Sequence, residues 1–175
     1  LVKVLTDQAE KLAISSRAFY TKPFGEYIEK LSKLSGFESI LPMNTGAEAV
    51  ETAIKAARRW GYFTKGIEEN SAEIIVAEGN FHGRTTTIVG FSSEADYKKG
   101  FGPFADGFVQ ADYCNTNCNC SKICEKSIQS IKNSINNNTC AVLVEPIQGE
   151  GGIITPQDGW LKQLRALCDE KNILL

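Results

Sequence analysis

Ser39-Ile-Leu-Pro-Met43-Asn44-Thr45-Gly46-Ala47-Glu48 is the stretch on which the reading of the fold turns. Its apolar first half predicts a short strand, and Asn44 to Ala47 a tight turn. The spacing of Ala49, Val50, Ala53, Ile54 and Ala57 then predicts a long helix to about Tyr62. Strand, turn and helix in this order form one unit of an α/β domain. The turn itself has two readings. A small hydroxyl-bearing turn that opens a helix aims free backbone N–H groups and the positive helix end at one point, which suits a phosphate. Equally, Thr45 with Glu48 three residues later makes a capping box.

Working outward, the same alternation continues. Val2, Leu5, Ala9 and Leu12 predict a helix, Ser15 to Pro23 a loop, and Phe24, Ile28 and Leu31 a second helix that Gly36 ends. Beyond Tyr62, Glu73–Ala77 reads as a β-branched strand, Asn80–Arg84 as a loop, and Thr85 to about Phe91 as a short helix or strand. Phe101–Phe104 reads as a rigid turn. Ile128, Ile131 and Ile135 mark a helix, Ala141–Glu145 a buried strand, Pro146–Pro156 a Gly-rich loop, Gly159–Lys171 a helix and Asn172–Leu175 a strand. The whole predicts a three-layer α/β/α domain with a mostly parallel sheet, whose ligands sit beyond the carboxyl ends of the strands.

Composition narrows the function. The chain has 175 residues, 42% hydrophobic and 23% charged, in the range of one ordinary globular domain. Nineteen Lys and Arg against 21 Asp and Glu give a formal charge of −2 with no basic stripe, so no nucleic-acid partner is expected. No apolar run approaches the roughly 20 residues of a membrane span. The chain opens at Leu1 without a secretory signal, and both ends read as cut, so it is expected to be a segment of a larger enzyme. Four cysteines, Cys114, Cys118, Cys120 and Cys124, follow a C-x3-C-x-C-x3-C pattern that suits structural zinc poorly. They are expected to be reduced thiols in an Asn-rich surface loop, with a metal-binding module or a disulfide as the alternative. The sequons at Asn119 and Asn137 are discounted for the same reason.

Two further loops carry chemistry. Phe81-His82-Gly83-Arg84 follows a strand with an aromatic face, a flexible glycine and a guanidinium that can grip a carboxylate with two parallel hydrogen bonds. The bland alternative is a core Phe and a surface Arg. His82, the one histidine, reads as structural. Glu145-Pro-Ile-Gln148-Gly-Glu150-Gly-Gly152 leaves a strand with two carboxylates that could hold an arginine, an amine or a metal, or could simply be solvated.

Together and in this order, Ser16–Tyr20, Pro42–Ala49 with Glu51–Tyr62, Phe81–Thr85, Phe101–Phe104 and Glu145–Glu150 resemble the class-III pyridoxal-phosphate aminotransferases, and among them the ornithine aminotransferases. The resemblance implies that residues 1–175 are part of the cofactor-binding large domain of a fold-type I enzyme. It implies pyridoxal 5'-phosphate as cofactor, with Thr45, Gly46 and Ala47 at its phosphate, Phe81 stacked on its ring and Glu145 nearby. Arg84 would hold a substrate carboxylate, and Glu150 would belong to the substrate site through an arginine farther along the family's sequence. No metal is implied. The family's Schiff-base lysine, its aspartate partner for the pyridine nitrogen and a tyrosine that helps bind ornithine match no position in this chain. No catalytic residue is therefore assigned, and the segment alone is expected to be inactive. The implied reaction moves the δ-amino group of ornithine to 2-oxoglutarate, in a homodimer of the cytoplasm or alternatively the mitochondrial matrix, within arginine and proline metabolism. Acetylornithine and 4-aminobutyrate aminotransferases share most of these motifs and remain alternatives, as does a phosphate-binding domain without catalysis.

Overall fold

The structure, a computed structural model, describes residues 1–16, 18–115 and 123–175. Arg17, Cys118, Cys120 and the Asn119 sequon lie outside the described residues. The chain divides into two compact units, Leu1–Pro42 and Met43–Leu175. The first holds helices α1 (Val2–Ala9) and α2 (Lys22–Ser35). Pro23 in the first turn of α2 lacks only an N–H the helix could not use, and Gly36 ends the helix in the left-handed region. Neither helix has a fully buried residue within this unit.

The second unit is built on a three-stranded parallel sheet of order β2-β1-β3. Helix α3 (Gly46–Trp60) runs into a single π turn (Gly61–Lys65), and strand β1 (Glu73–Ala77) follows. Two short helices, α4 (Thr86–Gly90) and α5 (Ala95–Lys98), precede β2 (Phe108–Ala111). Helix α6 (Ile123–Ser134), strand β3 (Thr139–Leu143) and helix α7 (Trp160–Glu170) complete it. Ile75 of β1 stands opposite Val109 of β2 and Val142 of β3. A strand sends successive side chains to opposite faces, and both faces here are covered. Ile74 and Val76 pack with Ile54 and Ala57 of α3 and Ile88 of α4. Ile75 and Ala77 pack with Ile131 of α6 and Trp160 and Leu164 of α7. This is the three-layer arrangement expected from the alternation of elements.

Two local expectations are corrected, and one strand is added. Ser39–Met43 forms no strand, and Pro42 has no N–H to give a ladder. A strand unmarked by its short, mixed sequence, β2, takes the edge beside β1 instead. The thiols differ as well. Cys114, fully buried, is disulfide-bonded to Cys124 of α6, with Cα atoms 4.5 Å apart. The segment leaving β2 and the first turn of α6 meet on one face of the sheet, which the cysteine spacing alone does not reveal. Cys140 and Cys168 are free and buried. At the other edge, Leu174 forms a parallel bridge to Ala141, so the predicted final strand begins beside β3.

Candidate active site

Helix α3 opens with a capping arrangement in which the Glu48 carboxylate reaches back one residue past the N-cap Thr45. Thr45 Oγ1 accepts from the Glu48 N–H at 3.1 Å, and Glu48 Oε2 accepts from the Asn44 N–H at 2.8 Å. The capping alternative is thus realised, and it leaves the phosphate reading intact. The cap uses the hydroxyl of Thr45 but no N–H of Gly46 or Ala47, and neither N–H has an acceptor among the described residues. Two donors and the helix dipole therefore face one exposed point, which fits a phosphate group.

The loop after β1 lies directly against this turn. Gly83 has φ +130, and a Cβ placed there would stand 3.0 Å from the Cβ of Ala47. A left-handed glycine is what lets the two backbones approach. Thr85 adds a second tie: its hydroxyl donates to Glu51 of α3 at 2.5 Å while it caps α4 by accepting from the Ile88 N–H. Phe81 and Arg84 are consequently held beside the opening turn of α3.

Glu145, just past β3, joins the third loop to the second. One of its oxygens accepts from the Phe81 N–H at 3.0 Å and the other from the Gly149 N–H at 3.3 Å. The Tyr113 hydroxyl donates to the backbone carbonyl of Glu145 at 2.9 Å. Burial and the Glu145 charge push that phenol up to about 12, which keeps it a donor. Gln148, almost fully buried, donates to the Glu78 carbonyl at 2.7 Å and pairs through its backbone with Ile154. Asn80 donates to the Ala77 and Phe91 carbonyls at 2.7 and 3.2 Å. Each of these groups ties a loop to the carboxyl edge of the sheet.

Phe81 and Glu150 line one cavity of about 280 Å³, together with Glu78, Asn80 and Tyr97. Arg84 lines another of about 470 Å³ with Val89, Asp96, Tyr97 and Phe101. Its guanidinium lies over the rings of Phe81 and Tyr97, at 5.8 and 5.6 Å from their centroids. Of the residues singled out from the sequence, Ala47, Phe81, Arg84 and Glu145 are brought together through these contacts. Glu150 shares a cavity wall with Phe81 and makes no ion pair among the described residues. Sequence reasoning missed Tyr97, Tyr113, Asn80 and Glu51. Only Asn80, polar and directly after a buried strand, carried a local signal.

His82 has its Nε2 buried without a hydrogen-bond partner among the described residues, and burial holds its pKa below the usual value against the opposing pull of Glu145. The unfolded chain therefore takes up a proton at His82 before the folded one does. The stability His82 contributes is fully present above about pH 6.5 and is lost as pH falls through the lowered folded value. Urea midpoints measured between pH 7.5 and 5 should decline, and the decline should be shallower in His82→Asn. Parallel curves for the two proteins would contradict this account.

The model of the family described as aminotransferase class-III matches residues 1–175. Ornithine aminotransferase 2 of Staphylococcus aureus is 53% identical over 174 residues, 99% of this chain and 41% of that protein. The crystal structure of ornithine aminotransferase from Toxoplasma gondii, whose active site holds pyridoxal phosphate at partial occupancy, superposes with a TM-score of 0.84 at 38% identity. The superposition covers 99% of this chain and 39% of that one. Acetylornithine aminotransferase of Elizabethkingia anophelis gives a TM-score of 0.72 at 48% identity, over 98% of this chain and 39% of that one. The chain thus spans about two fifths of the length of these relatives. Matched along its whole length and folded as they are, the chain belongs to the class-III aminotransferase family.

Proposed function

We propose that this chain forms the cofactor-holding part of an enzyme that moves the δ-amino group of ornithine to 2-oxoglutarate through pyridoxal 5'-phosphate. The observation that carries the reading is the contact of Gly83 on Ala47. It brings the loop that carries Phe81 and Arg84, which leaves β1 at the carboxyl edge of the sheet, against the turn that carries the free Gly46 and Ala47 N–H groups. Those residue types fit the cofactor: an anion at the helix start, a flat ring against Phe81, and a substrate carboxylate at Arg84.

When bound, the cofactor supplies a carbonyl carbon that takes the amino group and a ring that accepts electron density from the substrate. The protein's part is to position and to hold charge. The Gly46 and Ala47 N–H groups hold the phosphate, and Thr45 fixes the turn that presents them. Phe81 fixes the plane of the ring, with its own N–H anchored on Glu145. Arg84 aligns the carboxylate end of each substrate, and Glu150 lies on the cavity wall where a substrate's charged end can be sensed. The proton shuttle is a lysine that matches no position of residues 1–175, so the chain alone is proposed to be inactive. The resemblance further supports a homodimer acting in arginine and proline metabolism in the cytoplasm, with the mitochondrial matrix as the other location.

A second reading, acetylornithine as the amino donor, is favoured by the 48% identity to the Elizabethkingia enzyme. The test is the absorbance of the full-length, cofactor-loaded protein titrated separately with ornithine, acetylornithine and 4-aminobutyrate. Bleaching of the visible cofactor band by ornithine alone supports the proposal. Bleaching by another amine transfers the assignment to it, and the absence of any cofactor band rejects the reading.

A further inference from the structure

Arg84 has a seat that the sequence did not announce. Its guanidinium makes no ion pair among the described residues. What it touches is aromatic: its Cζ lies 5.8 Å from the Phe81 centroid and 5.6 Å from that of Tyr97, two rings that meet edge to face at 6.0 Å. We propose that Tyr97 is the positioning residue for Arg84, a ring that holds the guanidinium by its face and leaves its N–H edge free to take a carboxylate. This rests on the assignment of Arg84 to the substrate carboxylate made above.

The chemistry favours a ring over a carboxylate in this role. A guanidinium offers its donors in its plane and its flat face above and below. An acidic partner would occupy the very N–H pair that bidentate recognition of a substrate requires. An aromatic face attracts the cation without consuming a donor. Tyr97 is itself fixed to the site. It lies on α5, where its N–H donates to the Glu94 carbonyl, and the neighbouring Ser93 hydroxyl accepts from the Gly79 N–H at 2.8 Å. The helix turn bearing Tyr97 is thereby tied to the loop bearing Phe81. Tyr97 also lines both cavities, the one with Phe81 and Glu150 and the one with Arg84.

The experiment uses the full-length, cofactor-loaded aminotransferase that carries this chain, with 2-oxoglutarate as the carboxylate probe. Tyr97→Leu should raise the KM for 2-oxoglutarate about three- to tenfold, the size of one lost cation–π contact, with kcat within about twofold and the cofactor retained. Tyr97→Phe, which keeps the ring, should return KM close to the parent value. In an Arg84→Ala background, Tyr97→Leu should add nothing, since both changes then remove the same contact. If Tyr97→Leu fails to fold, Tyr97→Met keeps the bulk without the ring face and takes its place. An unchanged KM in Tyr97→Leu, an equal defect in Tyr97→Phe, or multiplying effects in the double variant would overturn the proposal. If Arg84→Ala raises KM while Tyr97→Leu does not, the site assignment survives and the positioning role falls. If Arg84→Ala itself has no effect, both fall.

Discussion

Replacing Arg84 with alanine in the full-length enzyme is expected to weaken binding of the 2-oxo acid by about 2–5 kcal/mol, read as a rise in its KM. The size follows from what is left behind rather than from the contact alone. A dicarboxylate brought into the cavity beside Val89, Phe101 and Tyr97 would lose its paired cation in a partly apolar setting. Arg84→Lys should recover only part of the loss, because an ammonium offers a point charge in place of a planar fork. Steady-state kinetics with 2-oxoglutarate varied at saturating amino donor measure it. A KM equal to that of the parent would remove Arg84 from the carboxylate site.

Gly83→Val should be the most damaging single change in the loop after β1. The residue would have to adopt φ +130, where side chains are strained, and its Cβ would meet that of Ala47 at 3.0 Å. Backbone strain and overpacking each cost about 1–3 kcal/mol, so a loss of roughly 2–5 kcal/mol of stability is expected. The chain can relieve the clash only by moving the opening turn of α3 away from the loop of Phe81 and Arg84. Cofactor affinity should therefore fall along with stability. Gly83→Ala should show the same two losses to a smaller extent. Urea unfolding and cofactor retained after dialysis report them together, and unaltered retention in Gly83→Val would show that the contact does not organise the site.

These two residues also mark where reading along the chain succeeds and where it ends. Features carried by neighbours three or four positions apart were open to inspection. The cap at Thr45 and Glu48, the stop at Gly36 and the apolar stripes of α2, α3, α6 and α7 are of this kind, because a helix brings such positions together by its own geometry. The burial of β1 on both faces, between two helical layers, followed from its β-branched run and the elements around it. Motif resemblance supplied the family, and the matches along the whole chain agree with it.

The sequence by itself determined the layered α/β architecture and the residue types proposed to meet a phosphate, a ring and a carboxylate. It did not determine which of them meet. Phe81 and Glu145 are 64 positions apart, Gln148 and Glu78 70, and their hydrogen bonds exist because β1 and β3 are neighbours in the sheet. Strand β2 and the Cys114–Cys124 bond were likewise settled by tertiary packing: four residues with a polar Gln110 become a strand only beside β1. The absence of a strand at Ser39–Met43 is the converse case. The seat of Arg84 on Tyr97 belongs with these, since aromatic contact depends on where two side chains point and not on the spacing between them. Backbone periodicity is a local property of the chain, whereas a site is a set of long-range contacts, and only the folded sheet decides those.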